Sequence, residues 1–174
     1  MPGTPDTSSA TSSDASETPS EALPRTASLS ALPPRFRAVP YVYARHPQAV
    51  AAGDLSAGAN CQLYAYAFLA HHGLHVPPLR SSDLWADNAA TVTVAEPEPL
   101  DLLLFDGGPR PGLDEGYAAH IAVHLGPDRV LHLCHEVGLP AIWTYGDFAA
   151  RPRYARLLGI KRCRAIPEHN GALA

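Results

Sequence analysis

The chain has 174 residues, 46% of them hydrophobic, which is enough to bury one ordinary core and too few for several domains. Its formal net charge is −4 and it contains no basic run, so nucleic acid is not expected as a partner. Three cysteines at irregular spacing do not indicate a disulfide framework. No apolar run of about eighteen residues occurs, so no membrane span is predicted.

The two ends of the chain differ in composition from its middle. Residues 1–33 are rich in Ser, Thr, Pro and Ala and poor in bulky apolar side chains, which predicts a disordered N-terminal tail. A single domain is predicted over 34–166, followed by a short C-terminal tail over 167–174. The first basic residue is Arg25 and no continuous apolar stretch precedes it, so we predict no secretory signal. A cytoplasmic location or a misplaced start codon would each explain this, and the sequence leaves the location open.

A helix is predicted to begin at Cys61. Asn60 is a favoured N-cap residue, and Gly73 is a typical residue just beyond a helix C-terminus. The sulfur of Cys61 would then lie in the first turn, where the helix dipole favours an anion. Apolar residues at helical spacing predict one buried face, made of Leu63, Tyr64, Ala67, Phe68 and Ala70.

Two consecutive strands are predicted over 120–125 and 129–133, joined by a loop over 126–128. Side chains alternate along a strand, so His120 and His124 share one face of the first strand. The two strands are therefore expected to form a hairpin that carries imidazoles on one face.

The length of that loop sets the predicted pairing of the hairpin. With three loop residues, Leu125 lies opposite Arg129 and His120 lies opposite Cys134. His132 then becomes a diagonal neighbour of His120 on the same face. This geometry lets the second imidazole orient the first.

The remaining pattern predicts an α+β fold, with helices packed on an antiparallel sheet. A Gly- and Pro-rich loop over 107–117 ends just before His120, and we expect it to line a substrate cleft. Further elements are predicted as helices over 81–88 and 144–149 and as strands over 91–94, 100–105 and 154–161.

The combination of Cys61, His120 and His132 is what a cysteine hydrolase requires. A thiol of ordinary pKa is mostly protonated at neutral pH, and a helix N-terminus or a neighbouring imidazolium makes it more reactive. Cys61 is the predicted nucleophile, His120 the base and His132 the residue that orients the base. Taken singly, a cysteine or histidine is more often structural, so the residues alone leave both interpretations open.

The stretch from Tyr41 to Cys163 resembles the NlpC/P60 family of papain-like cysteine peptidases. In that family Asp-Cys-Ser-Gly begins a helix, a Leu-Pro-Arg-like segment follows, Pro-Gly-Asp-Leu opens a strand, and two histidines lie twelve residues apart. The matching segments here are Asn60-Cys61-Gln62-Leu63, Val76-Pro77-Pro78-Leu79-Arg80-Ser81-Ser82, Glu98-Pro99-Leu100-Asp101-Leu102, and His120-Ile121-Ala122-Val123-His124 with His132.

The resemblance implies a papain-like fold and cleavage of peptide bonds in bacterial cell-wall stem peptides, without a cofactor and as a monomer. It implies catalysis by Cys61, His120 and His132, and a substrate-binding role for Tyr41, whose Pro-Tyr-Val-Tyr segment resembles a family segment that shapes the active site. Members of the family are usually exported, whereas no secretory signal is predicted here. This sequence also departs from the family by having Asn60 before the cysteine and Gln62-Leu63 after it.

Two alternatives come from other classes of protein. The altered residues beside Cys61 are compatible with a catalytically silent binding module on the same fold. A zinc site is the other, because imidazole and thiolate are normal zinc ligands. Its ligands would come from His120, His124, His132, Cys134 and His135, although their spacing matches no common zinc motif and the site would leave Cys61 without a role.

Overall fold

The structure, a computed structural model, describes residues 28–164. Residues 1–27 of the predicted N-terminal tail and the predicted C-terminal tail over 167–174 lie outside the described residues. Leu29–Ala31 form a 3-10 turn, and the following Leu32 is only 3% exposed within the core. Packing on the domain therefore begins slightly before residue 34.

Residues 28–164 form a six-stranded antiparallel sheet with three α-helices, which confirms the predicted α+β class, and the strand order is β1-β6-β2-β3-β4-β5. Three 3-10 turns complete the fold of this described part. The strands are β1 (Thr91–Val94), β2 (Leu102–Asp106), β3 (His120–Gly126), β4 (Arg129–Leu133), β5 (Pro140–Trp143) and β6 (Arg156–Cys163). The helices are α1 (Cys61–His71), α2 (Ser81–Ala86) and α3 (Tyr145–Ala149).

Three strands differ from their prediction. β2 begins at Leu102, two residues later than predicted, because Leu100 has a φ of 76° and is not extended. β5 was not predicted, since it is short, begins at a proline and alternates poorly. It lies at the sheet edge beside β4, where a proline at the first position costs no ladder hydrogen bond. β6 begins at Arg156, two residues later than predicted, because the preceding residues form the 3-10 turn Pro152–Tyr154. It lies between β1 and β2 in the interior of the sheet.

The β3–β4 hairpin keeps the predicted register except at its turn. Val123 pairs with Leu131, as predicted. Arg129 pairs with Gly126, whereas the prediction paired it with Leu125. A bulge at this point shortens the loop to two residues and gives Gly126 a φ of 144°, which favours glycine.

Both faces of the sheet are covered. On one face, Ile121 and Val123 of β3 pack in the cluster that contains α1. On the other face, Ala122 packs with Phe148 of α3 and with Tyr154. The start of β3 consequently lies between α1 on one side and an aromatic cluster on the other.

Helix α1 begins where predicted and is buried more completely than predicted. The Asn60 side chain accepts a hydrogen bond from the Leu63 N–H at 2.9 Å, which is the expected N-cap. Every residue from Gln62 to Leu69 is buried, whereas Ala70 is exposed and does not belong to the buried face. The helix lies between the sheet and an N-terminal segment that includes Phe36, so residues 62–69 are covered on all sides.

Helix α2 is attached to the sheet by Lys161, whose side chain is completely buried. Its ammonium donates to the backbone carbonyls of Trp85 and Asp87 and to the hydroxyl of Thr93. Three acceptors satisfy the three ammonium donors, so the charge is buried without an unpaired proton.

Within residues 28–164, no helix is long and apolar enough to cross a membrane.

Candidate active site

Cys61 and His120 line the same cleft, which has a volume of about 390 Å³. Cys61 is the first residue of α1, and His120 is the first residue of β3. The backbone N–H of Ile121, the residue after His120, donates to the sulfur of Cys61. The fold therefore brings together the thiol and the imidazole that the sequence singled out, although they are 59 positions apart in the chain.

His132 lies behind His120, away from the cleft. The Nε2 atom of His120 and the Nδ1 atom of His132 are 3.1 Å apart, within hydrogen-bonding distance. The predicted diagonal arrangement on the hairpin brings the two rings together in this way. His132 is 1% exposed and packs against the rings of Trp143 and Phe148, with centroid distances of 4.1 and 4.9 Å.

The surroundings of His132 favour one arrangement of protons. Its Nε2 is buried without a hydrogen-bond partner within residues 28–164 and is surrounded by aromatic rings. An N–H is tolerated against a ring face better than a lone pair, because the face of the ring is negative. We therefore place a proton on this Nε2, so that His132 Nδ1 accepts from His120 Nε2. The Nδ1 atom of His120 is then unprotonated and available as a base.

The thiol of Cys61 is half-buried. Burial raises its pKa, and this effect outweighs the hydrogen bonds from the backbone N–H groups of Ile121, Gln62 and Cys61, which lower it. The resting sulfur is therefore a neutral thiol, in contrast to the thiolate expected from its place at the helix start. The same N–H groups stabilise negative charge on the sulfur when it loses its proton.

Both imidazoles are neutral as well. Burial lowers the pKa of His120 well below its ordinary value of 6.5, and His132 and Arg153 lower it further. Burial, followed by the charge of Arg151, lowers the pKa of His132 to about 3. At neutral pH the cleft consequently contains a neutral thiol beside a neutral imidazole base.

Tyr41 lies in the cleft wall, where the resemblance placed it. Its backbone N–H donates to the carbonyl of Gly138 at 2.9 Å, and its ring meets the ring of His135 edge-on at 5.8 Å. Burial raises the pKa of Tyr41, and Cys61 contributes in the same direction. The phenol is thus a neutral group close to the sulfur.

Several cleft residues were not found from the sequence. Tyr154 packs on His120 with a centroid distance of 4.9 Å and hydrogen-bonds the thiol of Cys134. Cys134 is buried and also lines the cleft. Arg80 and Arg153 complete the charged part of the wall together with Asp83. No local pattern distinguishes these residues from ordinary surface positions, because distant segments of the chain meet here.

The Gly- and Pro-rich loop contributes less than predicted. Of residues 107–117, only Tyr117 lines the cleft, followed by Ala118 and Ala119. Most of the loop encloses a separate hollow of about 250 Å³ beside Asp106. The indole N–H of Trp85 donates to the Glu115 carboxylate at 3.1 Å, which directs the loop toward α2.

The zinc alternative lacks a ligand set. Within residues 28–164, no group of three or more His, Cys, Asp or Glu side chains is arranged to hold a metal ion. His120 and His132 bond to each other, and the Nδ1 atom of His124 lies 3.0 Å from the hydroxyl of Tyr145. The imidazoles of the two strands are therefore engaged in separate contacts.

No family model and no curated protein matches the chain. A solved structure that matches is an NlpC/P60 family protein from Bacillus cereus ATCC 10987, with 20% sequence identity and a TM-score of 0.48. The match covers 72% of this chain and 36% of that one, so the chain spans about a third of the length of its structural neighbour. Membership of the family stays a prediction.

Proposed function

We propose that this protein is a cysteine hydrolase that cleaves amide bonds with Cys61, His120 and His132. One observation carries the proposal: a thiol at a helix N-terminus and an imidazole line one cleft, and a second imidazole lies 3.1 Å behind the first. Nucleophile, base and orienting group are the three parts of a nucleophilic hydrolase site.

Acylation begins with proton transfer from the Cys61 thiol to Nδ1 of His120. The sulfur attacks the substrate carbonyl carbon, and the carbonyl π electrons move to oxygen. The backbone N–H of Cys61, at the start of the helix, donates to this oxyanion. His120 then returns its proton to the leaving nitrogen as the C–N bond breaks, which leaves a thioester and a free amine.

Water completes the cycle. His120 takes a proton from the water, whose oxygen attacks the thioester carbonyl, and the C–S bond breaks. The proton returns to the sulfur, so the products are a carboxylic acid and the original thiol. Throughout the cycle His132 accepts the Nε2–H of His120 and holds its Nδ1 toward the cleft, so it acts as a positioning residue.

We propose a peptide as the substrate, and a bacterial cell-wall stem peptide as its source. The proposal of a stem peptide rests on the resemblance of the motifs around Cys61 and His120 to the NlpC/P60 family. Support for a peptide comes from the cleft, whose lining combines tyrosines with polar side chains such as Ser82 and Gln62. Such a lining offers hydrogen bonds and ring faces to a short peptide.

The test is incubation with fragmented peptidoglycan, followed by mass analysis of the products. We expect a pair of fragments whose masses add up to that of the parent plus one water. Cys61→Ala is expected to release none. Cys163→Ser is the matched control, because its half-buried thiol lies at the end of β6 and does not line the cleft, and it is expected to keep activity.

Two results would count against the proposal. Equal product from wild type and Cys61→Ala would exclude Cys61 as the nucleophile. Binding of the fragments without any cleavage, by a correctly folded wild-type protein, would favour the silent binding module.

A further inference from the structure

The charged side chains of the cleft have a positive sum, although the chain as a whole is negative. Arg80, Asp83 and Arg153 line the cleft, which gives two positive charges and one negative charge, or a sum of +1. The formal net charge of the chain is −4. A cleft with a positive charge, on a protein whose net charge is negative, is a place where anions are attracted.

Arg153 lies beside the reacting pair. It belongs to the 3-10 turn Pro152–Tyr154, and the ring of the next residue packs on His120. The positive charge of Arg153 lowers the pKa of Cys61, His120 and Tyr41, so its field reaches the groups around the sulfur. The side chain is exposed and forms no ion pair within residues 28–164.

Arg80 approaches the cleft from the side of α1. The preceding carbonyl, that of Leu79, accepts hydrogen bonds from the Gln62 amide at 3.3 Å and the Tyr66 hydroxyl at 3.1 Å. These bonds fix the backbone of Arg80 next to the start of the helix that carries Cys61. Like Arg153, it forms no ion pair in the described part of the chain.

Asp83 forms no ion pair with either arginine within residues 28–164. Its carboxylate accepts from the backbone N–H of Arg80 at 3.4 Å and so takes part in capping α2. Elsewhere the chain pairs arginines with carboxylates, as in Arg156 with Asp106 at 2.8 Å. The Arg153 guanidinium lies over the ring of Tyr154, with its carbon 5.8 Å from the ring centroid, and this contact leaves its N–H groups without a carboxylate partner in the described residues.

We propose that Arg153, helped by Arg80, forms a subsite for a carboxylate of the substrate, so that the hydrolase acts on anionic molecules. Guanidinium binds carboxylate through paired, charge-assisted hydrogen bonds, and the exposed position of Arg153 lets a ligand reach it. The inference rests on the proposed function, because it concerns the molecule that Cys61 attacks. It adds which group of that molecule is recognised and by which residues.

The test compares two alkylating reagents of similar size, of which only one carries the negative charge that the subsite would bind. Iodoacetate is anionic and iodoacetamide is neutral. With either reagent the sulfur attacks the CH2 carbon, a C–S bond forms, and iodide leaves while the thiol proton is lost. We measure the rates at Cys61 by mass spectrometry of its peptide at low ionic strength, and divide the iodoacetate rate by the iodoacetamide rate. A change in the pKa of the thiol affects both rates equally, so the ratio reports charge recognition alone.

For the wild type we expect a ratio roughly tenfold above that of glutathione, since steering into an oppositely charged cleft raises association rates by about tenfold or more. Arg153→Gln is expected to lower the ratio severalfold, and Arg80→Gln is expected to lower it less. Arg153→Lys keeps the charge and is expected to keep most of the preference. Arg164→Gln is the matched control, since Arg164 does not line the cleft.

The outcomes separate the two proposals. If Cys61 reacts faster than Cys163 but its ratio equals that of glutathione, or is the same in Arg153→Gln, the anion subsite is wrong and the hydrolase proposal stands. If Cys61 reacts no faster than Cys163 with either reagent, the nucleophile assignment fails and the subsite fails with it. Added salt is expected to reduce the ratio in the wild type, because an exposed cation is screened.

Discussion

His120 Nε2 lies 3.1 Å from His132 Nδ1, and the second nitrogen of His132 has no hydrogen-bond partner within residues 28–164. The chain of hydrogen bonds therefore ends at His132, between the rings of Trp143 and Phe148. A neutral imidazole in this position fixes the orientation and tautomer of His120 but does not add a charge. His132 consequently fixes the direction of the His120 ring, while burial is the largest cause of the lowered His120 pKa.

Substitutions separate the reacting groups from the positioning group. We expect Cys61→Ala and His120→Ala to lose about a thousandfold or more of kcat/KM, because each removes a group that touches the reacting atoms. His132→Asn keeps an acceptor for the His120 N–H and is expected to retain at least about tenfold more turnover than His120→Ala. Rates on folded variants, measured with the substrate that the product analysis identifies, check this.

His124→Ala is the control for that series. His124 lies on the same face of β3, but its ring bonds to the Tyr145 hydroxyl at 3.0 Å and does not line the cleft. Its loss is expected to reduce the free energy of unfolding by about 1 to 2 kcal/mol and to leave the turnover of the folded protein intact. An inactive His124→Ala beside an active His120→Ala would require reassignment of the base.

The pH dependence of activity follows from the two neutral groups. The pKa of His120 is lowered well below 6.5 by burial, so the base stays unprotonated in mildly acidic solution. We expect kcat/KM to decline only well below pH 6.5. Burial also raises the pKa of Cys61, so the ultraviolet absorbance of a thiolate is expected to be absent at pH 7 and to grow at alkaline pH. A constant thiolate signal from pH 6 to pH 8, lost in Cys61→Ala, would contradict the neutral pair.

The free energy of unfolding is expected to fall in acid because His120 and His132 are buried as neutral imidazoles. In the unfolded chain they bind protons near pH 6.5, whereas in the folded protein the pKa of His132 is about 3. Between these values the unfolded state binds more protons, so stability is complete above pH 6.5 and is lost as pH falls toward 3, by about 1.4 kcal/mol per pH unit for each histidine. Denaturant unfolding of wild type and His132→Asn measures the slope, which is expected to be smaller in the variant. The exposed His75→Asn is the control.

Lys161 provides a prediction about the fold. Replacing it with Met leaves the carbonyls of Trp85 and Asp87 without their buried donor, so we expect the free energy of unfolding to fall by about 2 to 4 kcal/mol. Denaturant titration measures the loss. Arg164→Gln, at an exposed position that follows the same strand, is expected to change stability by less than about 0.5 kcal/mol. A similar small effect of Lys161→Met would show that the ammonium does not hold α2 to the sheet.

The role of a metal is tested by chelation. A Cys61–His120 pair needs no ion for the steps proposed above, so activity is expected to survive EDTA and to be abolished by iodoacetamide. Stoichiometric zinc in the purified protein, together with unfolding by the chelator, would favour the zinc alternative instead.

The sequence by itself determined the local parts of this protein. The N-cap Asn60 places Cys61 at a helix start, because side-chain capping depends only on neighbouring residues. Alternation along β3 places His120 and His124 on one face, because the strand period is two. Order and spacing also sufficed to select His120 and His132 as a pair, since a short loop limits the register of a hairpin.

The tertiary structure decided what depends on distant segments and on burial. The edge strand β5 forms because β4 offers it an open edge. No pattern within 140–143 predicts this strand. Arg80 and Arg153 meet at the cleft only after α2 and β6 have packed. Burial also made the Cys61 thiol neutral, against the expectation from the helix dipole. The free energy of desolvating a charge depends on all the surrounding atoms, and these are assembled only in the folded protein.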